Sequence, residues 1–560
     1  MKILGIHLNH DANICLYNSE NQYFQYAKSE RISDHKHNKL TWPFVDILSK
    51  SNFDPDCVVI CFGDVFDNQE VKNLYGHYEN ISKFNEELDK IIEEKYDVII
   101  GLNTEGNTRQ PCKAGDVIKS WVDAYNIFLQ KTGLTEKPIY WVQHDYAHIL
   151  SGWCCDKNYK DFAYGVAIDG GGPDWNNKLI VEKPFDLEKC KILHSDKTIR
   201  GKEIYLNSMG SLMKNIGQAM NLKGSPLDLA GKIMGLQSYG HVNFTEIIKF
   251  IKTYQPDITK LEIIRYYREL ISHVPPPFSF ENKKFLSFVA TIHRIWQETA
   301  LLIFEKFIVD KNSKVLYAGG CAQNTVTNTA LLDNYPNLKV IPHCYDGGLS
   351  LGCIALALLK NQIDLPTIDD FPYIQTDVKV EDPSKETIQK VAELLSQGKI
   401  VGWYQGHGEI GPRALGNRSI LINPSIKNAK DILNTRVKHR EHWRPFAPSI
   451  LQEHAEDWFG ISESKYMMFA CRIKPNKKHL VPSVVHKDLT SRIQTVSKTD
   501  NIFYRKLIQE FFNLTGIPLL LNTSLNDGGG PIVGNPQQAI DFFKKTGMDA
   551  LCVGDTIYEK

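Results

Sequence analysis

The chain opens with two short apolar runs around a polar centre, ILGIHL and NHDANICLY. Apolar runs of this length that flank a His-Asp centre predict a strand, a tight turn and a second strand, which is a β-hairpin. Further along, VIKSWVDAYNIFLQKTG has the helical spacing of apolar positions and stops at a glycine. The strand-like KPIYWVQ then leads into HDYAHILSGW, so we expect the two histidines of that segment at a helix start.

One local pattern recurs along the chain: an apolar segment ends in glycines before the next element begins. It occurs in FAYGVAIDGGGPDW, in KVLYAGG before the helix-like CAQNTVTNTALL, and in IPHCYDGGLSLGCIALALL. Residues 361–382 are rich in Pro, Asp and Thr and predict a linker. Since single cores stop growing at about 250–300 residues, we expect two α/β domains in this chain of 560 residues, at 1–370 and 380–560.

The net charge of the chain limits the kinds of partner that it can attract. Lys+Arg and Asp+Glu both number 65, so no net field draws the protein to nucleic acid or to an anionic membrane. His7, His10 and Asp11 interrupt the N-terminal stretch where a signal peptide is apolar, and no run reaches about 18 apolar residues. We therefore expect a cytoplasmic protein without a nucleic-acid or membrane partner.

Two histidines and two aspartates are candidate metal ligands. His144 and His148 are four residues apart, so on a helix they project from one face, although such pairs also occur on helices that bind no metal. Asp169 and Asp346 each precede glycines, where a carboxylate can reach a metal or simply cap a turn. Together the four residues offer two nitrogens and two oxygens, which suit Fe or Zn better than Mg. A metalloprotease fits poorly because residue 145 is Asp where H-E-x-x-H requires Glu.

A basic block between residues 402 and 448 indicates an anion site. Five of its cationic residues could converge on phosphates, namely Arg413, Arg418, Lys438, Arg440 and Arg444. Arginine forks match the oxygen pairs of phosphates. The alternative, a solvated charged face, does not require the anchor Trp443-Arg444-Pro445-Phe446.

Three further segments carry polar groups that could contact a phosphorylated ligand. SRIQTV contains Arg492, and IPLLLNTSLNDGGG delivers Asn522 and Ser524 into a glycine loop, unless that loop is a tight turn with Asx capping. Lys232 lies between glycines in LAGKIMGLQSYG and could contact a phosphate. The alternative is that it is an ordinary surface lysine. Glycine pairs such as Gly319-Gly320 can expose backbone N–H groups to nucleotide phosphates.

These motifs together resemble a known family. GEIGPRALGNRSIL, REHWRPFAPS, VPSVVHKDLTSRIQTV and LLLNTSLN look like the O-carbamoyltransferases of antibiotic and nodulation-factor biosynthesis, and the resemblance covers nearly the whole chain. The N-terminal motifs NHDA, HDYAH, AIDGGG, AGKIMGLQSYG and AGGCAQN are similar to the actin-like ATPase fold of tRNA threonylcarbamoyl-transferring proteins. The resemblance implies an α/β protein with an actin-like ATPase-type duplicated N-terminal domain and a C-terminal α/β domain resembling threonylcarbamoyl-adenylate synthase.

The resemblance also implies roles for individual residues. The metal, commonly iron, would be bound by His144, His148, Asp169 and Asp346, and His10, with Asp11 beside it, would be the base near the acceptor. Carbamoyl phosphate and ATP would be held by Arg413, Arg418, Lys438, Arg444, Arg492, Asn522 and Ser524. The adenylate would be held by Lys232, Gly319, Gly320 and Asn324. The implied ligands are ATP with Mg, carbamoyl phosphate and a small-molecule acceptor, and the implied assembly is a monomer or homodimer.

The chain departs from the family pattern in two places. The family usually has an acidic residue where this chain has Gly172-Pro173-Asp174, and Phe and Glu where it has Leu525 and Gly530. These departures put the adenylate contacts near 170–175 and the loop at 525–530 in question.

The expected activity is transfer of a carbamoyl group from carbamoyl phosphate, through a carbamoyl-adenylate, to a hydroxyl of a small molecule. A tRNA-modifying carbamoyl transferase is one alternative, which the zero net charge disfavours. A non-catalytic actin-like nucleotide switch is another, but such a switch would leave the arginine-rich block at 402–448 without a use.

Overall fold

The computed structural model describes residues 1–62, 70–95, 99–100, 112–170, 178–195, 208–222, 224–376, 378 and 380–560. The departure at Gly172-Pro173-Asp174 lies outside these residues.

The first sheet is built from residues 2–143 and has six strands. In spatial order they are Tyr23–Lys28, Asn13–Asn18, Lys2–His7, Cys57–Phe62, Ile139–Gln143 and Tyr75–Tyr78. The predicted N-terminal hairpin is confirmed, since Ile6 lies opposite Ile14 in an antiparallel pair. The central strands are buried along most of their length, which explains their continuous apolar runs.

The second sheet repeats this topology. In spatial order its strands are Lys191–Ser195, Lys178–Glu182, Tyr164–Ile168, Val315–Ala318 and Leu338–Val340. In both sheets three antiparallel strands are followed by two strands parallel to the first strand of the unit. The duplicated, actin-like α/β architecture expected for the N-terminal half is therefore confirmed.

The third sheet belongs to the C-terminal part of the chain and has seven strands. They are Gln494–Val496, Ala447–Leu451, Leu519–Ser524, Arg418–Ile422, Val401–Tyr404, Ala550–Val553 and Thr556–Glu559. Two short ribbons pair Ala470–Arg472 with Thr490–Arg492 and Ile99–Ile100 with Cys112–Lys113. The C-terminal part of the chain is a mixed α/β structure, as expected. The division into domains at 1–370 and 380–560 stays a prediction.

Helices cover the faces of the three sheets. In the N-terminal part they are Ser29–Ser33, Trp42–Ser51, Ile81–Lys95, Ala114–Thr132, His144–Leu150, Met209–Ala219, Pro226–Leu236, Phe244–Tyr254, Ile263–Ser272, Lys283–Phe307, Thr325–Asn334 and Leu349–Lys360. In the C-terminal part they are Lys385–Ser396, Ala429–Leu433, Gln452–Phe459, Ile502–Thr515 and Pro536–Lys545. Within the described ranges, no helix has the length and hydropathy needed to cross a membrane.

The helix Leu349–Lys360 lies at the centre of the N-terminal half and is buried from Leu349 to Leu358. It packs on the first sheet and on the helix His144–Leu150 through backbone contacts. A Cβ atom added at Gly352 would lie 2.1 Å from the carbonyl oxygen of Ala147, and one added at Gly5 would lie 2.5 Å from that of Ser350. Side chains at these glycines would force the elements apart.

The N-terminal and C-terminal halves are in direct contact. Arg31 donates a hydrogen bond of 3.1 Å to the carbonyl oxygen of Gly411, and Asn328 donates one of 2.9 Å to that of Met468. The rings of Phe280 and Trp443 stack with centroids 5.3 Å apart. Groups on facing surfaces of the two halves are therefore held in fixed positions.

The close approach at Gly352 generates a stability prediction. We expect Gly352→Ala to lower the free energy of unfolding by about 1–3 kcal/mol, because the added methyl group overpacks the contact with Ala147. Gly231→Ala is the matched control, since a Cβ there meets nothing within 4 Å and the residue lies in the helix Pro226–Leu236. Thermal unfolding should show a lower Tm for Gly352→Ala and an unchanged or higher Tm for Gly231→Ala. Equal melting temperatures for wild type and Gly352→Ala would contradict the packing described.

Candidate functional site

Two histidines and two aspartates meet where the two N-terminal sheets face each other. His144 is the first residue of the helix His144–Leu150, and His148 follows one turn later on the same face. Gln143 caps this helix by accepting a hydrogen bond from the backbone N–H of Tyr146 at 2.7 Å. Asp169 directly follows the strand Tyr164–Ile168 and Asp346 begins the turn before the buried helix, so each carboxylate sits at the end of a fixed element.

The donor atoms of these four residues converge on one point. His144 Nε2 lies 3.1 Å from an oxygen of Asp169 and 3.5 Å from one of Asp346. His148 Nε2 lies 3.4 and 3.5 Å from the same two oxygens, and the two Nε2 atoms are 3.2 Å apart. A tetrahedral cation with ligand bonds of about 2.1 Å would have ligand separations of roughly 3.4 Å, so the arrangement fits such an ion. The mixed nitrogen and oxygen set suits a divalent transition metal.

The electrostatics of the cluster favour ionised carboxylates. Burial would raise the pKa of Asp169, but hydrogen bonds from His144 and His148 prevail and hold that pKa well below its ordinary value. Burial would also raise the pKa of Asp346, but the neighbouring histidines prevail and lower that pKa. Two negative oxygens and two imidazoles in a buried position form a site that a cation would neutralise.

His10 and Asp11 lie beside this cluster. His10 Nε2 is 3.4 Å from the second oxygen of Asp346, and its Nδ1 is 3.3 Å from Asp11. Asp11 adopts a left-handed backbone conformation with φ of 59° and is itself held by Lys28 at 2.7 Å and His37 at 2.9 Å. The carboxylate of Asp11 therefore fixes the His10 ring, and it is the His10 ring that faces the cluster.

A second carboxylate-rich group has an internal counterion. It consists of Asp11, Glu30 and His37. The ammonium of Lys28 lies between the two carboxylates, 2.7 Å from Asp11 and 2.9 Å from Glu30. The positive charge that a metal would supply is thus already present. Sequence reasoning missed Lys28 and His37, because their contacts with Asp11 depend on tertiary structure.

Four arginines of the C-terminal half form a cluster with little compensating negative charge. They are Arg413, Arg440, Arg444 and Arg492. Burial lowers the pKa of Arg492, and repulsion from Arg413 and Arg440 lowers it further. Burial together with Arg444 lowers the pKa of Arg413 to about 10. Within the described ranges, Glu441 is the carboxylate that lies within ion-pair distance of these arginines. Such a cluster is an anion site.

The loop that carries Arg413 is organised by a buried carboxylate. One oxygen of Glu409 accepts hydrogen bonds from the backbone N–H groups of Leu415 at 2.7 Å, Asn417 at 2.8 Å and Arg418 at 3.1 Å. Asn522 supports the same loop by donating to the carbonyl oxygen of Ala414 at 3.1 Å. Asn522 thus positions the loop through its side-chain amide, and Glu409 is a site residue that sequence reasoning missed.

Arg418 is not brought into the arginine cluster. Its side chain is completely buried and stacks on the ring of Tyr404, with the guanidinium carbon 3.6 Å from the ring centroid. The guanidinium donates to the carbonyl oxygens of Gln405, Gly406 and Asn417. These contacts hold the loop in its fold, and a role of Arg418 in phosphate binding stays a prediction.

Lys438 lies beside the predicted glycine loop. Its ammonium donates to the carbonyl oxygen of Ser524 at 2.5 Å and to the side chain of Asn526 at 2.6 Å. Burial lowers the pKa of Lys438 well below its ordinary value, and Arg440 and Arg444 add to the effect. Ser524 and Lys438 are therefore neighbours, as a common ligand would require.

The residues expected to hold an adenylate lie in different places. Lys232 forms an ion pair of 2.7 Å with Glu441 and so faces the arginine cluster. The N–H of Gly320 donates to Asp169 at 2.8 Å, and Gly319 takes a positive φ of 85° against Ile168. Asn324 caps the helix Thr325–Asn334. The backbone at Gly320 thus orients a metal-site carboxylate, and Asn324 has a structural partner.

The second departure from the family pattern falls on a well-defined loop. Leu525 is fully buried in the C-terminal core, and its N–H donates to the carbonyl oxygen of Arg418 at 2.8 Å. Asn526 closes the loop by donating to the carbonyl oxygen of Gly530 at 2.6 Å. Leu525 is therefore an apolar core residue at the position where the resemblance leads one to expect Phe.

A small cleft lies between the two halves next to the arginine cluster. Both the helix Pro226–Leu236 and the C-terminal half line it. The indole N–H of Trp443 and Nε2 of His486 line the cleft region and have no hydrogen-bond partner within the described part of the chain. The cleft offers polar groups to a ligand at the junction of the halves.

Comparisons with known proteins agree with this architecture. Two family models match the chain, Carbamoyltransferase N-terminus over residues 2–355 and Carbamoyltransferase C-terminus over residues 392–560. The nodulation protein NolNO of Sinorhizobium fredii is 36% identical over 268 residues, which is 43% of this chain and 39% of that protein. An uncharacterized protein of Methanocaldococcus jannaschii is 31% identical over 451 residues, which is 75% of this chain and 82% of that protein.

The similarity to solved structures is low. The activator of the 2-hydroxyisocaproyl-CoA dehydratase from Clostridium difficile with bound ADPNP aligns with a TM-score of 0.31 at 11% identity, over 66% of this chain and 100% of that one. The matched region spans less than half of NolNO, so the relatives' names describe those proteins and not this one. The two family models, in contrast, together account for most of the sequence. The chain belongs to the carbamoyltransferase family.

Proposed function

We propose that the protein is an O-carbamoyltransferase that joins a carbamoyl group from carbamoyl phosphate to AMP, using ATP, and passes it to a hydroxyl of a small molecule. The observation that carries the proposal is the arginine cluster at Arg413, Arg440, Arg444 and Arg492. Buried cations without counterions are unstable unless an anion joins them. A site for several phosphates fits this charge, and family membership supplies the carbamoyl chemistry.

The proposed first step takes place in residues 380–560. Water first hydrolyses carbamoyl phosphate to carbamate and inorganic phosphate. An oxygen of the carbamate then attacks the α-phosphorus of ATP, the bond to the β-phosphate oxygen breaks, and pyrophosphate leaves. Mg bound to the ATP phosphates would neutralise part of their charge. Arg413, Arg444 and Arg492 stabilise the charge that develops on the phosphate oxygens. Lys438 and Ser524 hold a neighbouring phosphate through charge-assisted hydrogen bonds.

The proposed second step takes place in residues 1–370. The residues that would hold the metal are His144, His148, Asp169 and Asp346, and iron is the ion that the resemblance implies. A divalent transition metal held by these residues would supply a Lewis acid for the carbamoyl oxygen. His10 accepts the proton of the attacking hydroxyl at Nε2, and Asp11 keeps its ring oriented. AMP is the leaving group.

The position of the Arg413 loop supports this sequence of steps. A Cβ atom added at Gly411 would lie 2.6 Å from the carbonyl oxygen of Pro342, four residues before Asp346. The backbone of the Arg413 loop therefore lies against the segment that leads to Asp346, which supports transfer of a labile intermediate within the protein. The predicted cytoplasmic location and the small-molecule acceptor belong to the same proposal.

The metal site is tested by removing one ligand. We expect His148→Ala to weaken binding of a divalent transition metal by more than about tenfold, because the pocket loses one of four donors. Elemental analysis after dialysis measures bound metal without any assay of activity. His293→Ala is the matched control, since His293 is equally buried in the same half but bonds to Asn324. The assignment would be contradicted if both variants kept the metal content of the wild type.

The anion site is tested through pyrophosphate release from ATP and carbamoyl phosphate. We expect Arg413→Gln to slow this release about ten- to hundredfold, because a charge-assisted contact to phosphate is lost. Arg472→Gln should leave the rate unchanged, since Arg472 is exposed on the same ribbon as Arg492. A normal rate for Arg413→Gln would show that the cluster does not serve this reaction.

The division between the two steps is tested at His10. We expect His10→Ala to retain pyrophosphate release while carbamoylation of the acceptor falls about 10²–10⁴-fold, the usual contribution of a general base. His241→Ala, at an exposed position, serves as the control. A fall of both rates by the same factor in His10→Ala would refute the division.

A further inference from the structure

Glu441 is the carboxylate within ion-pair distance of the arginine cluster, among the described residues, and it also contacts the other half of the protein. One oxygen of Glu441 accepts a hydrogen bond of 2.7 Å from Lys232, which lies on the helix Pro226–Leu236. The second oxygen lies 3.8 Å from Arg444 and has no hydrogen-bond partner in the described parts of the chain. Glu441 thus bridges a lysine of the N-terminal half and an arginine of the C-terminal half with one of its oxygens unsatisfied.

The backbone around Glu441 is held firmly, so its side chain is the part that can move. Trp443 stacks on Phe280 with an interplanar angle of 5°. Arg440 donates to Asn434 at 2.8 Å and lies over the ring of Phe446. The side chain of Glu441 is one-fifth exposed, and a change of its rotamer would move the carboxylate towards solvent.

The burial of the ion pair makes exchange with another anion favourable. Lys232 is buried, so departure of Glu441 takes a negative group away from a buried ammonium, and another anion in the same position offsets that loss. A phosphate group carries at least the charge of a carboxylate and has more acceptor oxygens, so it can satisfy Lys232 and Arg444 together. The unsatisfied oxygen of Glu441 indicates that the carboxylate fills this position incompletely.

We infer that Glu441 occupies, in the absence of ligand, the position of a ligand phosphate between Lys232 and Arg444, and that binding of a phosphorylated ligand displaces it. This inference rests on the proposed function, because the ligand phosphate is that of ATP or of the adenylate made from it. Glu441 then acts as an internal competitor that keeps the two halves joined until the phosphate arrives. It also releases Lys232, a residue of the transfer half, to the intermediate made in the other half.

The test measures ligand affinity in a variant that lacks the charge. We expect Glu441→Gln to bind a phosphorylated ligand at least about fivefold more tightly than the wild type, because a like charge is removed from the binding position. Isothermal titration with AMP and with inorganic pyrophosphate distinguishes the two sources of the phosphate. Tighter binding of AMP assigns the position to the adenylate, and tighter binding of pyrophosphate assigns it to the tail of ATP; either result supports displacement.

Two controls separate this effect from a change of net charge or fold. Glu456→Gln removes the same charge from an exposed position of the same half and should leave both affinities unchanged. Glu441→Ser removes the same charge but leaves a smaller side chain than Glu441→Gln. If both variants bind the ligand more tightly than the wild type, the cause is the lost charge and not an altered packing contact. In the double variant Glu441→Gln/Lys232→Gln most of the gain should vanish, because Lys232 is the group that becomes available.

The inference and the proposed function fail in different ways. Unchanged or weaker binding of both ligands by Glu441→Gln and Glu441→Ser, with wild-type binding intact, would overturn the inference and mark the ion pair as a purely structural bridge. Failure of the wild type to bind either ligand, or binding that Arg413→Gln leaves intact, would instead contradict the proposed function.

Discussion

The backbone contact of the helix Leu349–Lys360 with its neighbours determines where the candidate site forms. Gly352 lets this helix touch the helix that carries His144 and His148, and Gly5 lets it touch the first strand. Asn13 locks the same junction, because its side chain donates to the carbonyl oxygen of Asp346 at 2.9 Å and accepts from the N–H of Ser350 at 3.0 Å. These close approaches bring side chains from distant parts of the sequence together at the site.

A second constraint is the uneven distribution of charge. The chain is neutral overall, yet arginines are concentrated in one cluster of the C-terminal half. The first half supplies the carboxylates and imidazoles that meet at Asp346, so groups that suit a cation and groups that suit an anion lie in different halves of the protein. This arrangement is what an enzyme needs if it activates a carbamoyl group in one place and transfers it in another.

The sequence predicted the features that depend on local pattern. The hairpin, the helix that begins at His144 and the turn that begins at Asp346 follow from apolar spacing and glycine position, and the structure confirms them. Arg418 shows where such reasoning ends, because its residue type suggests a phosphate ligand while its stacking on Tyr404 depends on tertiary structure. The partners of Asp11 and Lys232 are likewise long-range, and no local pattern indicates Lys28, His37 or Glu441.

The central claim is that the protein makes a carbamoyl-adenylate before it transfers the carbamoyl group. The most direct test incubates the protein with ATP and ¹³C-labelled carbamoyl phosphate in the absence of acceptor, followed by rapid quenching and mass spectrometry. The account predicts an adenylate that carries the ¹³C label, formed together with pyrophosphate. Absence of a labelled adenylate, with ATP either untouched or cleaved to ADP, would contradict it.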